Sequence, residues 1–161
     1  MQGALAERAQ ALFLAGYPDE GALLLRQMRA TSRAMVVAGS DALYSEDTST
    51  WAGAAAEDLY VPAGFVPDTP LPIVRAFVGR YRERYGRVPD QFAAQAYDGV
   101  RLLAFAMRRA GVERSKIRDV IATLKRFPGV TGELSFDRWG DPVRHVLITR
   151  IKGGTFVTVG P

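Results

Sequence analysis

Residues 11–39 read ALFLAGYPDEGALLLRQMRATSRAMVVAG. The apolar runs near its two ends, Ala11–Ala15 (ALFLA) and Ala34–Ala38 (AMVVA), are unbroken rather than alternating, the pattern of strands buried in a parallel sheet. Between them Gly16-Tyr17-Pro18-Asp19 reads as a loop, and Glu20–Ala30 carries Leu23, Leu24 and Met28 between arginines at helical spacing. Strand, helix and strand within that distance predict a βαβ unit with parallel pairing and a right-handed crossover.

Working outward, residues 1–8 hold mixed charges without a long apolar run or a small-residue cleavage site, so they read as the last turns of a helix and not as a signal peptide. After Gly39, Ser49–Glu57 reads as a short Ala-rich helix and Leu59–Val61 as the start of a third strand. Val66–Pro72 (VPDTPLP) has three prolines and reads as a connection between bodies. Ile73–Tyr85 is amphipathic, with Ile73, Phe77, Tyr81 and Tyr85 at i, i+4 spacing. Gln91–Ala110 is a long, mostly apolar helix expected to be buried on several sides. Ser115–Phe127 reads as a third helix with Ser115 as its N-cap. Gly129–Asp141 reads as turn, strand and turn, and Val143–Ile151, Gly153-Gly154 and Thr155–Val159 as a β-hairpin.

With 161 residues, 48% hydrophobic and 24% charged, the chain has the length and balance of one globular domain or of pieces of two. The net charge of +4 and a pI near 9.7 do not make a nucleic-acid protein, because the 21 Lys and Arg are scattered among 17 Asp and Glu. No run approaches the roughly 18 to 20 apolar residues of a membrane span. The absence of cysteine excludes disulfides and thiolate chemistry and leaves the redox compartment open. Enzymatic signatures are missing as well: no nucleophile elbow, HExxH, GxGxxG or Walker loop occurs. The single histidine, His145, falls in an alternating strand pattern (VRHVLIT), where a structural role is expected.

The order of short motifs carries a resemblance. Gly16-Tyr17, Gly39-Ser40-Asp41, Phe77–Pro89 (FVGRYRERYGRVP), Ala96-Tyr97-Asp98, Gly129-Val130-Thr131-Gly132, Phe136-Asp137 and Gly140-Asp141 together look like the branched-chain amino-acid binding proteins. These are type I periplasmic binding proteins. The resemblance spans essentially the whole chain and corresponds to the second half of such a protein. It implies an α/β fold made of Rossmann-like parallel-sheet pieces of a two-lobe protein, C-terminal half only. Residues 1–66 would form part of the C-terminal lobe, 67–146 part of the N-terminal lobe, and 147–161 would return through the hinge.

The same resemblance implies a non-enzymatic, solute-binding component of an ABC importer for amino acids or related small polar molecules. A signalling relative, such as an amide sensor or a receptor's ligand-binding region, is the alternative of the same fold. The expected partners are a small-molecule ligand, the membrane permease and the N-terminal half of the same protein, with no cofactor, metal or nucleic acid. The expected location is periplasmic or extracellular, with which a membrane-anchored lipoprotein is compatible.

Tyr17 and Asp41 are the candidate ligand-binding residues. Each falls two or three residues past the end of an expected strand, and ligands of open parallel sheets bind beyond the strands' carboxyl ends. In the resemblance, Asp41 pairs with the ligand's α-ammonium and Tyr17 covers it with its ring. Read without the resemblance, Asp41 is a turn or capping residue before it is a ligand contact, and Tyr17 a loop aromatic packed on the lobe. Branched-chain binders often have Glu where Asp41 stands. Tyr97, in the long helix, reads as a core residue before a ligand contact.

Overall fold

Both unbroken apolar runs become strands of one sheet in the computed structural model, which describes residues 9–31 and 35–160. The helical turns expected in residues 1–8 and the start of the second strand at Ala34 lie outside the described residues. The chain divides into two compact units, Met1–Ala63 with Val146–Pro161, and Gly64–His145.

In the first unit, β1 (Ala11–Leu14), α1 (Pro18–Arg29) and β2 (Val36–Gly39) form the expected βαβ unit, with β1 and β2 parallel. A 3₁₀ turn at Asp41–Leu43, α2 (Glu46–Ala52) and a second 3₁₀ turn at Gly53–Ala56 lead to β3 (Leu59–Ala63), which pairs parallel to β2. The sheet order is β1-β2-β3-β7-β8, where β7 (Leu147–Lys152) and β8 (Thr155–Gly160) form an antiparallel hairpin. Its turn uses Gly153 (φ 58°) and Gly154 (φ 79°), both in the left-handed region that the right-twisted hairpin requires. One face of the sheet is sealed by α1 and α2. Leu14, Val37, Leu59, Val61 and Ile151 meet Leu25 and Met28 there in one core. Each large side chain so buried contributes about 1.5–3 kcal/mol.

The second unit contains α3 (Pro72–Tyr85), α4 (Gln91–Ala110), α5 (Arg114–Ala122) and a three-stranded antiparallel sheet of β4 (Phe127–Gly129), β5 (Gly132–Phe136) and β6 (Pro142–Val143). Pro72 opens α3 and Gly86, at φ 68°, closes it. Asp90 caps α4 by accepting from the Ala93 N–H at 2.7 Å. Phe65, Val74, Phe77, Val78, Ala94 and Val130 form one cluster, and Leu102, Phe127 and Leu134 a second.

Several expectations need correction. Pro18 is the first residue of α1 rather than a loop residue, since its fixed φ and missing N–H suit a helix start. The Ala-rich helix begins at Glu46, because the Ser45 hydroxyl accepts from the Asp47 N–H, and it loosens to a 3₁₀ turn from Gly53. Ser115 is not the N-cap of α5; Glu113 holds that position, and the Ser115 hydroxyl donates to its carboxylate at 2.7 Å. That helix also stops at Ala122, and Phe127 starts a strand. Ile73 and Tyr85 are exposed, and the buried stripe of α3 runs through Val74, Phe77 and Val78. In α4 only Gln91, Ala94, Asp98, Leu102 and Ala106 are buried, while Phe92, Val100, Leu103 and Met107 are exposed. Leu102 and Phe105 of that helix pack with Phe127 and Leu134 of the small antiparallel sheet. His145 is exposed in the segment between β6 and β7, not inside a strand.

Candidate functional site

The carboxyl ends of β1 and β2 are level, Leu14 pairing with Gly39. From Leu14 the chain passes through Ala15 and Gly16 to Tyr17, the N-cap residue of α1, whose carbonyl accepts from the Gly21 N–H at 2.9 Å. Tyr17 is 69% exposed, so its ring is not packed on the core. From Gly39 the chain passes through Ser40 to Asp41, the first residue of the 3₁₀ turn, which is also exposed.

Two contacts tie these departures together. The Ser40 N–H donates to the Leu14 carbonyl at 2.9 Å, extending the ladder, and the Ser40 hydroxyl donates to the Gly16 carbonyl at 3.3 Å. The residues just before Tyr17 and Asp41 are therefore bonded to one another. Leu43 then anchors the turn from below. It is fully buried, and a Cβ on Gly21 or on Gly39 would stand 2.5 or 2.6 Å from its methyl carbons. Glycine at both positions lets α1 and the end of β2 close on that side chain. An interior glycine costs a helix roughly 1 kcal/mol relative to alanine, so Gly21 inside PDEGALLL was a sequence signal of close approach that the motif reading missed.

The edge is anionic. Asp19 and Glu20 lie in the first turn of α1, Glu46 and Asp47 in that of α2, and Asp41 stands between those helices in the chain. A hydrogen bond shared with the Glu20 carboxyl, and then one donated by the Glu20 backbone N–H, hold the Asp19 carboxyl below the usual carboxylate range. Such an edge favours a cationic group over an anion. Among the described residues no group of His, Cys, Asp and Glu could hold a metal ion. No described helix is long and apolar enough to cross a membrane.

The Ala96-Tyr97-Asp98 motif has a different use. Asp98 is 2% exposed; its carboxylate accepts from the Val130 N–H, the Thr131 N–H and the Thr131 hydroxyl, each at 2.8 Å. Arg101 adds a contact at 3.6 Å. A Cβ on Gly129 would stand 2.5 Å from Asp98 Oδ2, so glycine is required where the β4–β5 turn meets the carboxylate. Asp98 is a latch between α4 and that turn. Tyr97 packs its ring on Phe77, centroids 4.7 Å apart, and lies under the Arg101 guanidinium. Two open concavities of about 450 and 430 Å³ also occur in the second unit, one beside the proline-rich connection and α3, the other against α4 and α5. Neither involves Tyr17 or Asp41.

A family model described as periplasmic binding protein matches residues 1–155. The chain belongs to the periplasmic binding protein family. Solved structures agree on the type I fold. A leucine binding protein, LivK, from Thermotoga maritima is 28% identical with a TM-score of 0.91 over 99% of this chain and 46% of its own. The branched-chain amino acid transporter substrate binding protein LivJ from Streptococcus pneumoniae, solved with isoleucine, is 30% identical with a TM-score of 0.84, over 100% and 49%. A solute binding protein of an ABC transporter from R. palustris, solved with benzoate, shares the fold at 22% identity, with a TM-score of 0.81 over 99% and 46%. No curated protein matches the chain. The chain spans about half the length of the solved structures it matches.

Proposed function

We propose that these residues are part of the solute-binding component of an ABC importer for amino acids or closely related small polar molecules, with Asp41 and Tyr17 in the ligand site. The observation that carries the reading is the departure of Tyr17 and Asp41 from level, adjacent parallel strands, tied by the Ser40 to Gly16 hydrogen bond. Asp41 supplies the counter-charge for an α-ammonium, at an edge already rich in carboxylates. Tyr17 supplies an exposed ring to cover the ligand and a hydroxyl to hydrogen-bond it. Charge pairing of this kind strengthens as water is excluded.

The relatives solved as a leucine binder and with isoleucine support an amino-acid ligand. The benzoate complex, in a more distant relative, marks the competing class, a carboxylate without an ammonium. In this reading residues 1–66 and 147–161 belong to one lobe and 67–146 to the other, the location is periplasmic or extracellular, and the partner is the importer's membrane permease. The groups that hold the α-carboxylate are assigned to polypeptide outside these 161 residues, so the isolated chain binds amino acids weakly or not at all.

The test is calorimetry on the full-length protein with leucine, isoleucine, small amides and benzoate. Binding of an amino acid that is lost in Asp41→Ala supports the reading. Binding of benzoate in preference to every amino acid overturns it.

A further inference from the structure

The basic residues read as scattered along the sequence, yet their excess is local. Residues 75–87 (RAFVGRYRERYGR) hold five arginines, no lysine and one glutamate, a net charge of +4 that equals that of the whole chain; the remaining 16 Lys and Arg are matched by 16 Asp and Glu. Arg75, Arg80, Arg82 and Arg84 lie on α3 and Arg87 just past its end, and all five are exposed. None makes an ion pair with a carboxylate among the described residues. Like charges so close on one helix repel one another, so the patch favours an anionic partner.

The helix sets these charges in two flanks. It buries Val74, Phe77 and Val78 in the second unit and leaves Ala76, Gly79 and Glu83 on the outside. On one flank Arg75 and Arg82, about 10 Å apart along the axis, stand either side of Gly79 and line the open recess of about 450 Å³ against Pro67–Pro70. A Cβ on Gly79 would meet nothing within 4 Å, so an oxyanion can approach the helix between the two guanidiniums. Two planar forks converging from opposite sides are met by the tetrahedrally disposed oxygens of a phosphate, whereas the two oxygens of a carboxylate lie on one side of their carbon. Thr69 adds a hydroxyl to the recess, and Asp68 is the one carboxylate there that opposes an anion. On the other flank are Arg80 and Arg84, the latter over the exposed ring of Tyr85. The exposed apolar residues, Leu71 and Ile73 before this patch and Tyr85 and Val88 at its end, bracket the arginines. A protein partner's footprint has its apolar residues in the centre and its charges on the rim. Arginines interleaved with exposed aliphatic and aromatic side chains are instead the composition of a helix lying on a membrane surface.

We propose that the outer face of α3 is a docking surface for an anionic phospholipid bilayer, with a lipid phosphate seated between Arg75 and Arg82. This surface rests on the functional reading only for its location outside the cytoplasm, where a bilayer is within reach.

The test is cosedimentation of the unacylated full-length protein with vesicles of phosphatidylglycerol and phosphatidylcholine in equal parts, against vesicles of phosphatidylcholine alone. Binding is expected to the mixed vesicles only, and should fade as salt rises above about 0.1 M, where the screening length is about 10 Å. Each arginine replaced by glutamine should weaken it about fivefold, the fold-change of about 1 kcal/mol per basic residue at an anionic surface. Arg75→Lys with Arg82→Lys should weaken it more than Arg80→Lys with Arg84→Lys, because only the first pair grips a phosphate through its forks. Asp68→Asn should tighten it. Far-UV circular dichroism and solute affinity should be unchanged throughout, since these side chains are exposed and lie outside the unit that carries Tyr17 and Asp41. No vesicle binding, equal binding to both vesicles, binding indifferent to the arginine substitutions, or capture of soluble polyglutamate in preference to the mixed vesicles would each overturn the proposal, the last in favour of an acidic protein segment. Solute affinity is read separately by calorimetry, so failure of the lipid surface leaves the solute-binding reading standing.

Discussion

Asp98 and Asp41 both come from motifs by which the chain resembles its family, yet the second unit encloses one while the first presents the other. Asp98 is fixed by two backbone N–H groups and a hydroxyl, and Gly129 is shaped around it. Asp41 opens a 3₁₀ turn beyond the end of a parallel strand, and its position is set through its neighbours, Ser40 on one side and Leu43 on the other. The lesson is that a short acidic motif is assigned by its donors. A carboxylate ringed by buried backbone donors stabilises the fold, whereas one carried on an exposed turn beyond a strand end is the one proposed here for a ligand.

The largest effect expected from this contrast is in stability. Asp98→Ala leaves two buried N–H groups and a hydroxyl without their acceptor and should cost the second unit about 3–5 kcal/mol in denaturant unfolding. Amide exchange at Val130 and Thr131 should accelerate most. A loss below about 1 kcal/mol, with those amides still protected, would mean that the turn holds itself and the latch is dispensable.

Asp41→Ala tests the other side of the comparison. In the full-length protein it should cost about 2–5 kcal/mol in affinity for an amino acid, the range for removing one member of a desolvated charge pair. It should change unfolding stability by no more than about 0.5 kcal/mol, as for an exposed turn residue. The comparison breaks if stability falls as much as affinity, since Asp41 would then be structural like Asp98. Affinity for an uncharged amide should be much less affected.

What was legible in the sequence follows the same division between local and tertiary causes. ALFLA and AMVVA announced parallel strands because both apolar runs are continuous, and α4 was bounded correctly because Asp90 and Gly111 punctuate it locally. Tyr17 and Asp41 could be placed past the strand ends for that reason. The roles of Asp98, Leu43 and Gly21 were not legible, since each depends on a partner from another element. Ser115 misled because a serine before an apolar helix resembles a cap, but the chain turns into the helix two residues earlier, at Glu113. His145 misled because VRHVLIT alternates like a strand, while pairing to β3 begins only at Leu147.

Gly21→Ala should have an intermediate effect. The new methyl must displace Leu43, at a cost of about 1–3 kcal/mol for overpacking, offset by roughly 1 kcal/mol of helix propensity. The expected outcome is a net loss near 1 kcal/mol in thermal unfolding, together with weaker solute binding in the full-length protein because the turn that carries Asp41 moves. Leu43→Val in the same background should recover part of both. Unchanged binding beside lowered stability would show that the Leu43 contact does not position Asp41.

The smallest effect belongs to a third carboxylate, which separates hydrogen bonding from burial. Glu113 accepts from Lys116 Nζ at 2.7 Å and from the Ser115 hydroxyl at 2.7 Å, and these bonds, Lys116 first, hold its carboxyl below the usual glutamate range. Unlike Asp98 it is exposed, so water and salt screen the pair and its contribution should be slight. The sign follows from linkage: with the folded-state value depressed, the stabilisation is present above the ordinary glutamate range and is lost as pH falls through the folded-state value. Thermal unfolding of the parent and of Glu113→Gln should therefore differ by a small, salt-sensitive amount at neutral pH, the parent being the more stable. The difference should vanish on acidification as the parent's carboxyl takes up its proton. A difference that persists in acid and in high salt would show that the hydrogen bonds at the start of α5, rather than the charge, carry the effect.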